Sequence, residues 1–267
     1  MCLRWSFSAA AMTDPILRQN DTESCRFSWF DRIKAPLALA AVLIIAACNG
    51  DGGDAIDPPN TDQIPPASAP APRAALLDPP PPAWSEPAPD TFEAHLETTR
   101  GPFVIEVIRE WAPVGADRFY NLIRHGYYDD VRFHRVVPDF ITQWGVSGDP
   151  EVDAVWYERG MPDDTVVASN VRGTIAYAFT EPRTRATQIY INMVDNSRLD
   201  AGSFAPFGRV TRGMGTVVDS IYSGYGEGSG GGVRNGDQSR LVSEGNAHLD
   251  ANFPELDRLI RATIVTR

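Results

Sequence analysis

Proline limits what this chain can fold into more than any other residue, because it removes a backbone donor and fixes φ. Of the 22 prolines, 12 lie between Pro58 and Pro89. A stretch so rich in proline cannot join a hydrogen-bonded core, so it reads as linker. The hydrophobic 43% of the chain must then be buried elsewhere. The segment from Thr91 to Arg267 is long enough to do so as one domain.

Ahead of the linker, Arg32 and Lys34 precede an apolar run from Ala35 to Ala47. A helix of that length rises only about 20 Å, short of the ~30 Å hydrocarbon core, and matches the apolar region of a signal peptide instead. The run ends Ile45-Ala46-Ala47-Cys48, which resembles the bacterial lipobox. That resemblance implies removal of residues 1–47 and a lipid on Cys48, with residues 48–90 as a Pro/Ala-rich disordered tether. Asn49 after the cysteine points to the outer rather than the inner membrane, by analogy with Gram-negative sorting. Fully extended at ~3 Å per residue, the tether would reach roughly 100 Å.

Net charge is −11, and beyond residue 47 the chain holds 19 basic and 31 acidic side chains. That balance argues against nucleic acid and against attraction to anionic lipid surfaces. Cys2 and Cys25 precede Cys48, so the folded part has no cysteine for disulfides, thiol catalysis or metal ligation. The one lysine, Lys34, lies in the signal, which excludes Schiff-base chemistry and a phosphate-loop lysine from the mature protein. His95, His125, His134 and His248 have no metal-ligand spacing. Gly145-Val146-Ser147-Gly148-Asp149 fails the nucleophile-elbow pattern at its last position. An enzyme here works without covalent intermediates, metals, cofactors or redox groups.

Alternation over Thr91–Thr99 and again at Phe103, Ile105 and Val107, across Gly101-Pro102, predicts a hairpin. Pro113, followed by Phe119, Leu122 and Ile123 and stopped by Gly126, predicts a helix. Further strands are expected over 131–137, 140–145, 173–178, 187–193, 207–211 and 261–265, with a second helix over Met214–Tyr222. The expected fold is mostly β: a closed eight-stranded antiparallel barrel capped by two α-helices. In the C-terminal insertion at about 224–259, the Gly-rich part from Gly224 to Gly236 reads as a loop, with a short packed helix over 253–260.

The segment Phe133-His134-Arg135-Val136-Val137-Pro138-Asp139-Phe140-Ile141-Thr142-Gln143 is similar to the cyclophilin signature F-H-R-V-I-x-x-F-x-x-Q. Ala112-Pro113 with Asn121 and Leu122, Gly173 to Ala178, Thr187 to Asn192, and Leu199-Asp200 with Phe207-Gly208-Arg209-Val210 resemble other family motifs, in family order. The resemblance implies a peptidyl-prolyl cis–trans isomerase, active as a monomer on proline-containing unfolded or partly folded polypeptides. It assigns catalysis to Arg135 and the proline pocket to Phe140, Ile141, Tyr190 and Leu199. Gln143 and Gln188 match the glutamines that hold the substrate backbone and orient the arginine, and Ala178 and Phe179 the segment that pairs with the peptide. Phe204 stands where a histidine is usual, Arg198 where a tryptophan often lines the pocket, and Trp144 where glycine is common. His134 alternates to the opposite face from Arg135 and is expected to be structural. Two other readings remain at this point: a slow proline-peptide binding module, and a purely structural envelope lipoprotein.

Overall fold

The computed structural model describes residues 73–79, 86–230 and 238–266. The expected signal peptide, Cys48 and most of the tether lie outside these described residues.

The hairpin forms as expected: β1 (Thr91–Thr98) and β2 (Gly101–Ile108) pair antiparallel, with Thr98 opposite Gly101. Gly101 takes φ +111° at the turn, a region that a side chain disfavours. Phe92, Ala94 and Leu96 of β1 and Phe103, Ile105 and Val107 of β2 point into the core. Glu93, also buried, pairs with His95 and Arg212.

Next comes α2 (Pro113–Arg124); the label α1 belongs to a four-residue turn, Ala74–Leu77. Pro113 sits at the first helical position, and Ala116, Phe119, Leu122 and Ile123 form the buried face. The cap comes from far along the chain: Asp164 accepts from the Val114 and Gly115 N–H groups at 3.0 and 2.9 Å. A carboxylate there satisfies orphan donors and opposes the helix dipole.

The remaining strands are β3 (Val131–Arg132), β4 (Arg135–Val137), β5 (Ile141–Trp144), β6 (Thr174–Tyr177), β7 (Ile189–Asn192), β8 (Pro206–Arg212) and β9 (Arg258–Val265). They form one antiparallel sheet in the order β3-β9-β1-β2-β8-β6-β7-β5-β4. Its edge strands, β3 and β4, are separated only by Phe133 and His134, and two residues span at most about 7 Å. The sheet therefore curls until its edges meet. The expected mostly β, cyclophilin-like architecture is present, with nine strands instead of eight and a seam in place of a closed ladder.

Two local expectations need correction, over 214–222 and over 253–260. Met214–Tyr222 is not an α-helix; it holds a turn and a three-residue 3-10 helix, Val218–Ser220. Within the insertion, Gln238–Asn252 forms α4, a helix that went unanticipated, bent at Gly245, where a Cβ would lie 2.2 Å from the Gly148 carbonyl. The expected helix over 253–260 is a turn running into β9. A second helix also went unanticipated: α3 (Pro150–Trp156), whose Asp149 cap accepts from the Glu151 N–H at 3.0 Å. Its Asp-Pro start was a readable signal.

Residues 73–79 are not bare spacer. Leu76 is buried against the core, and its carbonyl accepts from the Trp156 indole at 2.9 Å. Arg73 pairs with Asp149 and Glu151 at 2.6 and 2.5 Å. Further on, the Ala88 N–H donates to Asp117 and the Asn121 amide to the Glu86 carbonyl.

Candidate active site

Arg135 and Gln143 stand opposite each other in the β4–β5 pairing, and Gln143 stands opposite Tyr190 across β5–β7. Register alone thus aligns an arginine, an amide and an aromatic ring. Nη1 of Arg135 donates to Gln143 Oε1 at 3.0 Å, and Gln143 Nε2 donates to Gln188 Oε1 at 2.8 Å. Each amide accepts on one side and donates on the other, which fixes both in a consistent orientation.

Beside this row lies a small apolar cluster. Ile141, Ala176 and Tyr190 form its buried floor, with Phe140, Ala178, Leu199 and Phe204 partly exposed around it. Ile141, Gln143 and Tyr190 are each at most 3% exposed. The Phe140 ring centroid lies 5.5 Å from the Arg135 guanidinium carbon and 5.1 Å from that of Arg198. Arg198, in the place of the usual tryptophan, thus covers the pocket rim through a cation–π contact. Phe204 stacks on Phe179 at 4.4 Å and meets Tyr190 edge-on at 6.1 Å. The departure from the family pattern at Phe204 is therefore packed against Phe179.

The tyrosine at 190 brings a hydroxyl into an apolar floor, and it is satisfied: Tyr190 donates to Asn170 Oδ1 at 2.9 Å. Asn170 is held by Asp200 and by the Phe204 carbonyl, each at 2.7 Å. Asn196 donates to the Phe140 carbonyl at 2.8 Å. None of these supporting asparagines carried a motif that singled it out in the sequence.

A cleft of about 380 Å³ adjoins the pocket, lined by Arg135, Gln143, Gln188 and Phe179, by Tyr157 just past the end of α3 and by Gln238 of α4. The Ala178 N–H donates to the Gln188 carbonyl at 2.9 Å and is thus already paired. Gln238, which accepts from the Tyr157 hydroxyl at 2.7 Å, lies 3.4 Å from Gln188 Nε2. The C-terminal insertion therefore contributes one wall of the cleft through Gln238.

Trp144 does not face the site. It is fully buried on the other side of β5, against Phe133 at 5.3 Å and Phe103 at 6.5 Å. His134 is buried too, and burial pushes its pKa down to about 4, so it is neutral at pH 7.

The model of the family described as "Cyclophilin type peptidyl-prolyl cis-trans isomerase/CLD" matches residues 94–237. The chain belongs to this family. Among relatives, the peptidyl-prolyl cis-trans isomerase of Acinetobacter baylyi is 34% identical over 142 residues, covering 47% of this chain and 69% of that one. Peptidyl-prolyl cis-trans isomerase CYP18-2 of Arabidopsis thaliana is 36% identical over 128 residues, covering 46% of this chain and 76% of its own length. A solved cyclophilin of Cryptosporidium parvum superposes with a TM-score of 0.49 at 19% identity, over 66% of this chain and 99% of that one. The match ends within the cyclophilin domain's C-terminal insertion, so α4 and β9 lie beyond it.

Proposed function

We propose that this peptidyl-prolyl cis–trans isomerase serves exported polypeptides, acting as a monomer held by lipid on Cys48 at the periplasmic side of the envelope, and that Arg135 drives catalysis. The arrangement that supports the mechanism is the row Arg135–Gln143–Gln188 along the lip of the Phe140/Ile141/Tyr190/Leu199/Phe204 pocket. A proline ring fits such a shallow apolar cluster. The peptide C–N bond resists rotation because the nitrogen lone pair is delocalised into the carbonyl, with a barrier of ~18–20 kcal/mol. A donor aimed at the prolyl nitrogen localises that pair and lowers the barrier. Arginine suits this role because its charge is permanent and its donors form a planar fork. No bond is made to the protein, and no proton is transferred.

The lipid anchor and the envelope location rest on Ile45-Ala46-Ala47-Cys48 and on the apolar run before it. Among the described residues, no helix is long and apolar enough to cross a membrane.

The mechanism is tested with Arg135→Ala in a chymotrypsin-coupled prolyl peptide assay. Because the arginine acts in the twisted transition state, kcat/KM should fall by one to three decades, about 1.4–4 kcal/mol, with peptide affinity falling much less. Phe140→Ala should weaken binding and turnover together. Parental turnover in Arg135→Ala, alongside loss in Phe140→Ala, would leave the arginine a structural role only.

A further inference from the structure

The loop over residues 223–230 is fastened along the outer edge of β4, on both sides of Arg135. The Val136 N–H donates to the Gly226 carbonyl at 3.3 Å, and the Ser229 hydroxyl donates to the His134 carbonyl at 2.7 Å. Between these two contacts lies Glu227, whose carboxylate accepts from Nη2 of Arg135. The pair is largely out of water, with the arginine side chain 14% and the glutamate 18% exposed. Nη1 is already committed to Gln143, while the buried Nε has no hydrogen-bond partner among the described residues. The guanidinium is therefore gripped at both terminal nitrogens. It keeps the Nε–H and one N–H on each terminal nitrogen unused.

We propose that Glu227 is a positioning residue for the isomerase reaction, holding the Arg135 guanidinium so that its unused donors face the proline pocket. The inference rests on the reading of Arg135 as the group that acts on the prolyl nitrogen. A charge-assisted acceptor holds a guanidinium more tightly than a neutral one. Orientation fixed before the substrate arrives does not have to be established at the barrier. The proton stays on the arginine, so the carboxylate orients the fork without removing a donor. Gln143 alone would leave the plane free to turn about the Nη1 contact.

The test compares the full chain with Glu227→Ala and Glu227→Gln in the prolyl peptide assay, together with ¹⁵N NMR of the arginine terminal nitrogens. Glu227→Ala should lower kcat about tenfold while KM stays within about twofold, since Arg135 contributes in the transition state. Glu227→Gln keeps an acceptor oxygen but loses the charge, and should fall between the two. The two Nη signals of Arg135, separate in the parent, should coalesce at lower temperature in Glu227→Ala. Parental or raised kcat, or a change confined to KM, overturns the proposal. Should Glu227→Ala fail to fold, the isosteric Glu227→Gln decides by the same kcat criterion. Loss in Arg135→Ala with parental kcat in both Glu227 variants sinks only the role of Glu227, whereas parental turnover in Arg135→Ala sinks both readings.

Discussion

Asp153 is fully buried in α3, and only one of its carboxylate oxygens is satisfied. Oδ1 accepts from the Ser147 N–H at 2.8 Å and from the Tyr127 hydroxyl at 3.3 Å, while Oδ2 has no partner among the described residues. Burial pushes its pKa from 3.8 up to about 6. The unfolded chain releases this proton near 3.8 and the folded protein only near 6. Between those values the folded state binds more protons, so stability falls as pH rises through the window and the loss is complete above it. At 1.36 kcal/mol per pKa unit, the ionised carboxylate costs the fold roughly 3 kcal/mol at pH 7. Asp153→Asn never ionises and keeps an acceptor for Ser147. Between pH 4 and pH 7 its stability relative to the parent should therefore improve by roughly 2–3 kcal/mol, or about 4–12 °C in Tm. His134 works in the opposite sense: held neutral down to about 4, it makes the fold gain stability as pH rises from about 4 to 6.5. It is present in both proteins and cancels in the comparison. Urea or thermal unfolding of both at pH 4, 5, 6 and 7 gives the difference directly. A difference that stays flat across this range would show that Asp153 ionises as an ordinary carboxylate and that the argument from burial is wrong.

Two further outcomes are expected. Cys48→Ser should release the protein from membranes or leave it unprocessed, and a variant that fractionates and migrates as the parent does would remove the lipobox reading. Leu76→Ala removes burial worth ~1.5–3 kcal/mol from a short segment that can undock on its own, so the Trp156 indole N–H should exchange at least about tenfold faster; unchanged exchange would mean that residues 73–79 do not dock in solution.

Much of the fold was legible because its signals are local. The β1–β2 hairpin follows from period-two alternation broken at Gly101, and α2 from Pro113 with an apolar stripe. The pairing of Arg135 with Gln143 is local too. Arg135, Phe140, Ile141 and Gln143 lie within nine residues on a pair of strands joined by a tight turn, so register alone brings the arginine to the glutamine. The run from 131 to 137 could not be divided in the same way. Its apolar residues read as one strand, whereas the chain crosses the seam of the sheet at Phe133 and His134.

The sequence by itself determined the alternating faces of the β1–β2 hairpin and the start of α2. Each of these depends on neighbours a few positions away. Tertiary structure decided the rest. Asp164 caps α2 from 50 residues downstream of Val114, and Leu76 gives its carbonyl to Trp156 across 80 positions. Glu227 reaches Arg135 across 92 positions, out of a glycine-rich stretch with no periodicity to place it. A contact between distant segments forms only when the sheet between them has already closed the distance, and no local spacing carries that information.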